Sequence, residues 1–591
     1  MAWDRWGAIV LAAIGLALYI PSVRFGFVHA DDVDLIAGNA AFLGDPANLP
    51  RAFTRSYFET PAAATDVKTY YRPIVIASFM ADTIAGGGAP GFFHATNAVL
   101  HALVGALVLA LLRHLGAGPG AAFAAALVFA VHPLNGQAVY WIPGRNELLL
   151  AVFGLAAWLA WLRAADTGRR RWLAAHGAAW LLALLSKETA IVFPPVWALY
   201  AWHARRTRDL LRPPVWGSWL AAWLAWMALR MNALGWEASG EASGAFAVAV
   251  WRNLPGMVAT IGKVIVPIGL NVTPGARWRD VAIGAAVCAI LVAAFARCLP
   301  RRTQAFVWGW CLLAFLPALG VSGLPAYEHR AYLPLAALAS GAALAAGCPA
   351  SARRLPGSDP RGVQPAEGSL SPDPGTRPEG GVAAAAGRRT ERGGEATTAV
   401  ARPAWMRTQV LGIGLVAAVS AALAGLTVAR GAVYADAFRF WEDAAKDPQF
   451  GAMARVNLGQ LFESVDRPDE AERQYRLALA LDPRVPKAHN NLGVVLMALG
   501  RRDEAVAMFE RERALHPGNA DAHYNLGLIR AGEGKLDEAI ALWERAIAVN
   551  RTYLPAYDEL ARAYRTKRMP DRAAAFEAEA AAIRRRAIGS R

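Results

Sequence analysis

Cysteine is nearly absent. Only four of the 591 residues are Cys, and Cys288, Cys298, Cys311 and Cys348 all lie in or beside apolar stretches, without metal-ligand spacing. A disulfide framework and a zinc site are thereby excluded, and the four read as small packing residues. Charge is sparse too, at 18% against 55% hydrophobic residues and 21 Trp. Such a balance excludes a single soluble domain and indicates a multi-spanning membrane protein. The first apolar stretch lacks an Ala-x-Ala-like cleavage site and continues as Pro21-Ser22-Val23-Arg24. It is read as a retained first span, not a signal peptide. The net charge of +15 does not indicate nucleic acid, because Arg is concentrated in short stretches between apolar runs, where it orients a membrane protein.

The chain reads as all-α. Apolar runs near residues 6–20, 92–113, 120–133, 148–162, 172–185, 190–203, 215–229, 281–297, 306–320, 332–347 and 410–428 predict about eleven spans. Arg169-Arg170-Arg171, Arg205-Arg206-Thr207-Arg208, Arg297 to Arg302 and Arg353-Arg354 fall in alternate connections, which the positive-inside rule assigns to the cytoplasm. Two further apolar stretches, 73–86 and 251–269, are broken by polar residues or Pro and are expected to lie on or dip into the outer face, with Asp82 facing water. Residues 351–405, rich in Pro, Gly and charge, predict a disordered cytoplasmic linker. The expected organisation is a membrane domain over 1–350, this linker, a last transmembrane helix over 406–430 and a separate domain over 431–591.

That last domain is periodic. Asn457-Leu458-Gly459 recurs as Asn491-Leu492-Gly493 and Asn525-Leu526-Gly527, a step of 34 residues, the period of tetratricopeptide repeats. Ala471, Ala505 and Ala539 fall where paired helices come close, Pro483 and Pro517 follow second helices, and a degenerate unit around Glu559-Leu560-Ala561 reads as a cap. An α-solenoid of this kind binds protein segments in a groove. His489, Asn490, His523 and Tyr524 lie on the first helices, where groove-lining and packing are equally open readings.

Asp31 and Asp32 carry the best clue to chemistry. They follow the first span in Phe25-Gly26-Phe27-Val28-His29-Ala30-Asp31-Asp32-Val33-Asp34, where acids sit among apolar residues near lipid. In an extended segment the two side chains point opposite ways, so one is assigned as general base and the other as orienting the acceptor or a cation. Two carboxylates attract hard cations, so a divalent metal at Asp31 or Asp32 is an open expectation. Arg145-Asn146-Glu147, Lys187-Glu188 and Glu328-His329-Arg330 map to the same face, each joining a cation suited to phosphate with an acid to hold it. Together they predict an anion site facing the carboxylate pair, suited to group transfer from a lipid phosphate.

Phe27-Val28-His29-Ala30-Asp31-Asp32, Tyr71-Arg72-Pro73, Phe93-His94-Ala95-Thr96-Asn97, Leu100-His101, Val131-His132-Pro133, Gly144-Arg145-Asn146-Glu147, Leu185-Ser186-Lys187-Glu188 and Glu328-His329-Arg330-Ala331-Tyr332-Leu333-Pro334 resemble the transmembrane and tetratricopeptide repeat-containing O-mannosyltransferases. The resemblance implies a membrane domain of the C-type glycosyltransferase fold that uses a polyprenyl-phosphate sugar, commonly mannose, on the non-cytoplasmic side. It also implies an acidic motif at Asp31 and Asp32, and donor or structural roles for Arg145, Lys187 and Arg330. His29-Ala30 and Gln137 depart from the family pattern, and the repeats are fewer than in animal members. The Ala-, Gly- and Arg-rich composition resembles that of a GC-rich bacterium, which would put the repeats in the periplasm and the spans in the inner membrane.

Several single residues stay open. His94 and Asn97 could contact a sugar or could cap and pack, His132-Pro133 is expected to end a helix, and Arg72 to position the helix that follows it. The leading expectation is an inverting glycosyltransferase moving a sugar from polyprenyl phosphate to Ser or Thr of an exported protein, recruited by the repeat groove. The rivals are a non-catalytic membrane-anchored scaffold and a transferase with a glycan or lipid acceptor.

Overall fold

The structure, a computed structural model, describes residues 2–28, 31–60, 70–235, 243–270, 277–320, 328–346 and 404–589. Among these every regular element is helical. His29-Ala30 and residues 351–403 of the expected linker lie outside the described residues.

Each of the eleven apolar runs falls on a helix, and Pro opens several of them, as in Pro90–His114, Pro119–Val131 and Pro213–Leu234, as it does the further helix Pro73–Gly86. Proline suits the first turn because its missing N–H has no partner to lose there. By length and composition five of the described helices can cross a membrane: Arg5–Arg24, Pro90–His114, Ile142–Thr167, Trp278–Cys298 and Gly412–Tyr434. A sixth is available if Pro119–Val131 and Pro133–Tyr140, bent by 47° at His132-Pro133, count as one broken span. Several of the remaining apolar helices are short, such as Phe193–His203 and Tyr332–Ala346. The count of eleven is therefore not carried by length and apolarity alone.

Pro90–His114 and Arg145–Thr167 form the buried centre, enclosing Val104, Leu112, Leu148, Leu155 and Trp158. Trp158, Tyr200, Phe306 and Trp310 pack edge to face beside them. Some polar groups of this core pair within the protein, while the indole N–H groups of Trp158, Trp161 and Trp197 are buried without a partner. His176 bonds the Ala157 carbonyl through Nδ1 at 2.8 Å and accepts from Trp219 Nε1 at 2.7 Å. Such pairing offsets the loss of water as a partner.

The two stretches expected to lie on or dip into the outer face both pack against neighbouring helices, and Asp82 is turned away from water. Pro73–Gly86 buries Val75, Ile76, Phe79 and Met80 together with Asp82, which is only 8% exposed rather than turned to water. Ser243–Ile265 packs against Trp278–Cys298, with Gly262 facing Gly284 and with Asn253, Thr260 and Lys263 buried.

The chain ends of the helices segregate. Arg169, Arg170, Arg171, Arg208, Arg212, Arg301 and Arg302 lie exposed at one end of the bundle. At the other, the Gly26 amide donates to the Ala435 carbonyl at 3.3 Å, and Thr427 Oγ1 donates to the Val131 carbonyl at 2.7 Å. The segment after the last membrane helix, Ala404–Gly431, thus docks beside the segment after the first. Arg430 pairs with Asp443 at 2.8 Å across this junction, and Tyr434 and Phe440 join the membrane domain's core.

Beyond it lie four helix pairs: Gly451–Ser464 with Pro468–Leu481, Ala488–Ala498 with Arg502–Leu515, Ala520–Gly532 with Leu536–Val549, and Leu554–Thr566 with Pro570–Gly589. Gly459, Gly493 and Gly527 sit under Tyr475, Phe509 and Trp543, one aromatic ring per repeat, so close that a Cβ has no room. Ala471, Ala505 and Ala539 are fully buried at the same 34-residue step. The last pair has Ala561 where the others have Gly, and the Gly–aromatic lock ends there.

Candidate active site

Asp31 and Asp32 begin a single helical turn, Asp31–Leu35. The extended geometry expected for them is thus replaced by a turn in which neighbours differ by about 100°. Val28 N–H donates to Asp32 Oδ2 at 2.9 Å, tying the incoming chain to the acidic turn, and Asp32 is only 1% exposed. Its second oxygen, Oδ1, is buried without a hydrogen-bond partner. Burial raises the Asp32 pKa to about 7, opposed by the Val28 bond and helped by Asp31. Asp31 is half-buried; its own burial, with Asp34, lifts it to about 6, and the positive charge of Arg72 works against the rise.

Arg72 precedes Pro73 and points back toward the acidic turn. Nε and Nη2 both donate to Glu188 Oε2 at 3.3 and 3.2 Å, and the Tyr71 amide donates to Glu188 Oε1 at 3.1 Å. The guanidinium lies over the rings of Tyr70 and Tyr57 at 4.7 and 5.3 Å. Burial disfavours its charge, but Glu188 and the two tyrosines outweigh that and raise its pKa.

The acids exchange partners relative to the sequence reading. Glu147 pairs with Lys187, not with Arg145, and Glu188 pairs with Arg72, not with Lys187. Neighbours one or two apart on a helix do not face each other, so each acid meets a cation from a different element. Lys187 ends Arg170–Ser186 almost fully buried; burial lowers its pKa, Glu147 opposes this, and the positive charges of Arg72 and Arg330 add to it. Arg72, Lys187 and Arg330 are therefore gathered in one field. Arg330 donates through Nη1 to the Ala318 carbonyl at 3.2 Å, while the Glu328 side chain lies outside what the structure describes.

Arg145 is placed differently from the expectation. Fully enclosed, it forms an ion pair with Asp82 at 2.6 Å, donates through Nε to Asn97 Oδ1 and through Nη2 to the Phe93 carbonyl, both at 2.8 Å, and faces the rings of Phe79 and Phe93. These protein acceptors engage all three guanidinium nitrogens, so Arg145 ties three helices together behind the site instead of facing an anion. Asn97 completes this bracket by donating to the Val139 carbonyl at 3.1 Å, a packing contact. Asp82 was missed as a partner, although a lone acid within an apolar helix is itself a signal.

The histidines divide. His132 Nδ1 accepts from the Leu134 amide at 3.2 Å and its Nε2 meets the Val264 carbonyl at 3.0 Å, ending one helix and capping the next. His94 is 1% exposed; its Nε2 lies 3.5 Å from the Gly26 carbonyl and its Nδ1 has no partner, beside the loop that carries Asp32. Among the described residues no three His, Cys, Asp or Glu side chains converge as metal ligands. A cation at Asp31 or Asp32 would have to complete its shell with substrate oxygens and water.

Residues 73–236 match the family model described as dolichyl-phosphate-mannose-protein mannosyltransferase, and residues 456–511 and 490–555 match tetratricopeptide repeats. Curated relatives include a protein O-mannosyl-transferase, Tmtc2, of Drosophila melanogaster, 35% identical over 32% of this chain and 21% of its own length. Another, TMTC3 of Mus musculus, is 33% identical over 26% of this chain and 16% of its own length. The chain thus matches only about a fifth of the length of these relatives. Among solved structures, MamA is 24% identical, covering 26% of this chain and 90% of its own at a TM-score of 0.23. YrrB, a TPR protein with an unusual peptide-binding site, is 22% identical, covering 25% and 76% at a TM-score of 0.21. The chain thus joins a segment similar to a mannosyltransferase family to tetratricopeptide repeats, and over about a third of its length it is similar to curated protein O-mannosyl-transferases.

Proposed function

We propose that the chain is a membrane glycosyltransferase that moves a sugar, mannose by its relatives' names, from a polyprenyl phosphate to a Ser or Thr hydroxyl of an exported protein. The observation that carries this reading is the acidic turn set against a gathered trio of cations. Asp31, half-buried and held near a pKa of 6, takes the proton of the attacking hydroxyl. The hydroxyl oxygen then bonds to the anomeric carbon from the side opposite the phosphate, the C1–O bond breaks, and its electron pair leaves on the phosphate, inverting the centre. Lys187 and Arg330, with Arg72 behind them, offset the charge that grows on the departing phosphate. Glu147 and Glu188 keep those cations aimed, and enclosure by apolar helices favours transfer over hydrolysis.

The acidic turn and the repeats share the non-cytoplasmic side in this reading. The arginine-rich opposite end and the Gly26–Ala435 contact support that arrangement. The solenoid groove recruits the acceptor polypeptide close to the turn. Purified protein in lipid nanodiscs, given radiolabelled polyprenyl-phosphate mannose and an extract of exported proteins, is expected to label polypeptide. Label confined to lipid or glycan overturns the protein acceptor; full transfer by both Asp31→Asn and Asp32→Asn overturns the site.

A further inference from the structure

Tyr57 belongs to none of the motifs that point to the site, yet the fold carries it there. It follows the acidic turn after the short helices Ala37–Asn39, Ala40–Leu43, Pro46–Asn48 and Leu49–Ala52, and its amide donates to the Tyr70 carbonyl at 2.8 Å, two residues before Arg72. Ser56 Oγ donates to the same carbonyl at 3.3 Å, so the loop is clamped to the strand of chain that delivers Arg72. The guanidinium of Arg72 covers the Tyr57 ring at 5.3 Å. The side chain is 2% exposed, and its hydroxyl is buried with no hydrogen-bond partner. Tyr57 packs in one apolar cluster with Leu35 of the acidic turn and with Ile36, and Arg72, Asp31, Arg145 and Asp32 all act on its hydroxyl electrostatically.

An unpaired buried hydroxyl costs free energy, and natural cores rarely tolerate one without cause. Here two orphans share one site, and they are complementary. Tyr57 has a proton to give, and Asp32 Oδ1 has lone pairs to receive one. A sugar ring presents several hydroxyls, each able both to accept and to donate. Phosphate, by contrast, would answer Tyr57 but meet a like charge once Asp32 has ionised above about pH 7.

We propose that Tyr57 and Asp32 Oδ1 form a subsite for hydroxyls of the transferred sugar, Tyr57 donating to one and Asp32 accepting from one, so that the ring is held while Asp31 serves the incoming nucleophile. The proposal rests on the glycosyl-transfer reading above and adds to it a residue that decides which sugar is taken. Polar recognition of this kind discriminates strongly, because a substrate lacking the hydroxyl leaves the buried partner unpaired.

The test uses the full chain in nanodiscs, the variant Tyr57→Phe, and polyprenyl-phosphate mannose alongside its 2-, 3-, 4- and 6-deoxy forms. With the parent donor, Tyr57→Phe is expected to raise KM and lower kcat/KM about tenfold. The donor-induced rise in melting temperature, read without turnover, shrinks in parallel. With one deoxy donor that penalty vanishes, since the partner hydroxyl is already gone. A penalty of equal size on every donor, or none on any, overturns the subsite while leaving the transferase reading intact. A wild-type protein that transfers none of the donors overturns both.

Discussion

Charge is handled in opposite ways by the two halves of this chain. In the membrane domain, Arg145, Arg72 and Lys187 are almost wholly enclosed, and each meets an acid from a distant part of the sequence. In the solenoid, Arg501 is 39% exposed and pairs with Glu472 and Glu504, while Arg530 pairs with Glu533, all along the outer surface. The chemistry of the pairs is alike, but the surrounding medium is not. Inside the bundle an ion that loses its partner has no water to turn to, so the pairing fixes geometry. On the solenoid water replaces a lost partner at little cost, so the pairs decorate a fold that the Gly–aromatic lock already holds.

The sharpest way to break that contrast is Arg145→Met, which strands Asp82 within the bundle. It is expected to cost about 3–5 kcal/mol in denaturant unfolding, and adding Asp82→Leu should recover a large part of it. A single substitution as mild as one on the solenoid surface would sink the distinction.

Next in size is Asp31→Asn. Loss of the proposed base should cut transfer by about 10²–10⁴-fold with unfolding nearly unchanged, measured with labelled donor and a Ser-containing acceptor peptide. Wild-type kcat/KM should climb as pH rises through about 6, where Asp31 ionises, and this rise should be absent in the variant.

Asp32→Asn separates stability from activity. The folded protein holds the Asp32 proton up to about pH 7, whereas an unfolded chain releases it near pH 4. Between those values the native state binds more protons, so stability falls as pH rises, and the deficit is complete above pH 7. The variant should therefore be more stable than wild type at pH 8, on the order of a few kcal/mol. The gap should close toward pH 5. A variant less stable at both values would mean that Asn fails to keep the hydrogen bond from Val28 N–H.

Smallest of all is Arg501→Ala, expected to cost less than about 1 kcal/mol and to soften further in high salt.

Much of the architecture was legible because it repeats or because it is uniformly apolar. The 34-residue step by itself sets Gly459, Gly493 and Gly527 in register, and the apolar runs all fall on helices. Asp31 and Asp32 were legible for the opposite reason, as acids out of place beside a span. Tyr57 was not legible at all, since a tyrosine among aromatics carries no local signal. Nor was Asp82 as the partner of Arg145, because burial cannot be told from a helix's own sequence when every face of it is apolar.

Local interactions alone determined the helices, the repeat and the one acidic turn, for each depends on residues within a few turns of one another. Tertiary structure alone decided who pairs with whom. Glu147 beside Arg145 reads as its counter-ion, yet helix geometry turns the two apart and gives Glu147 to Lys187, 40 residues on. The direction of a side chain is a local property, but what stands in front of it belongs to the packed molecule.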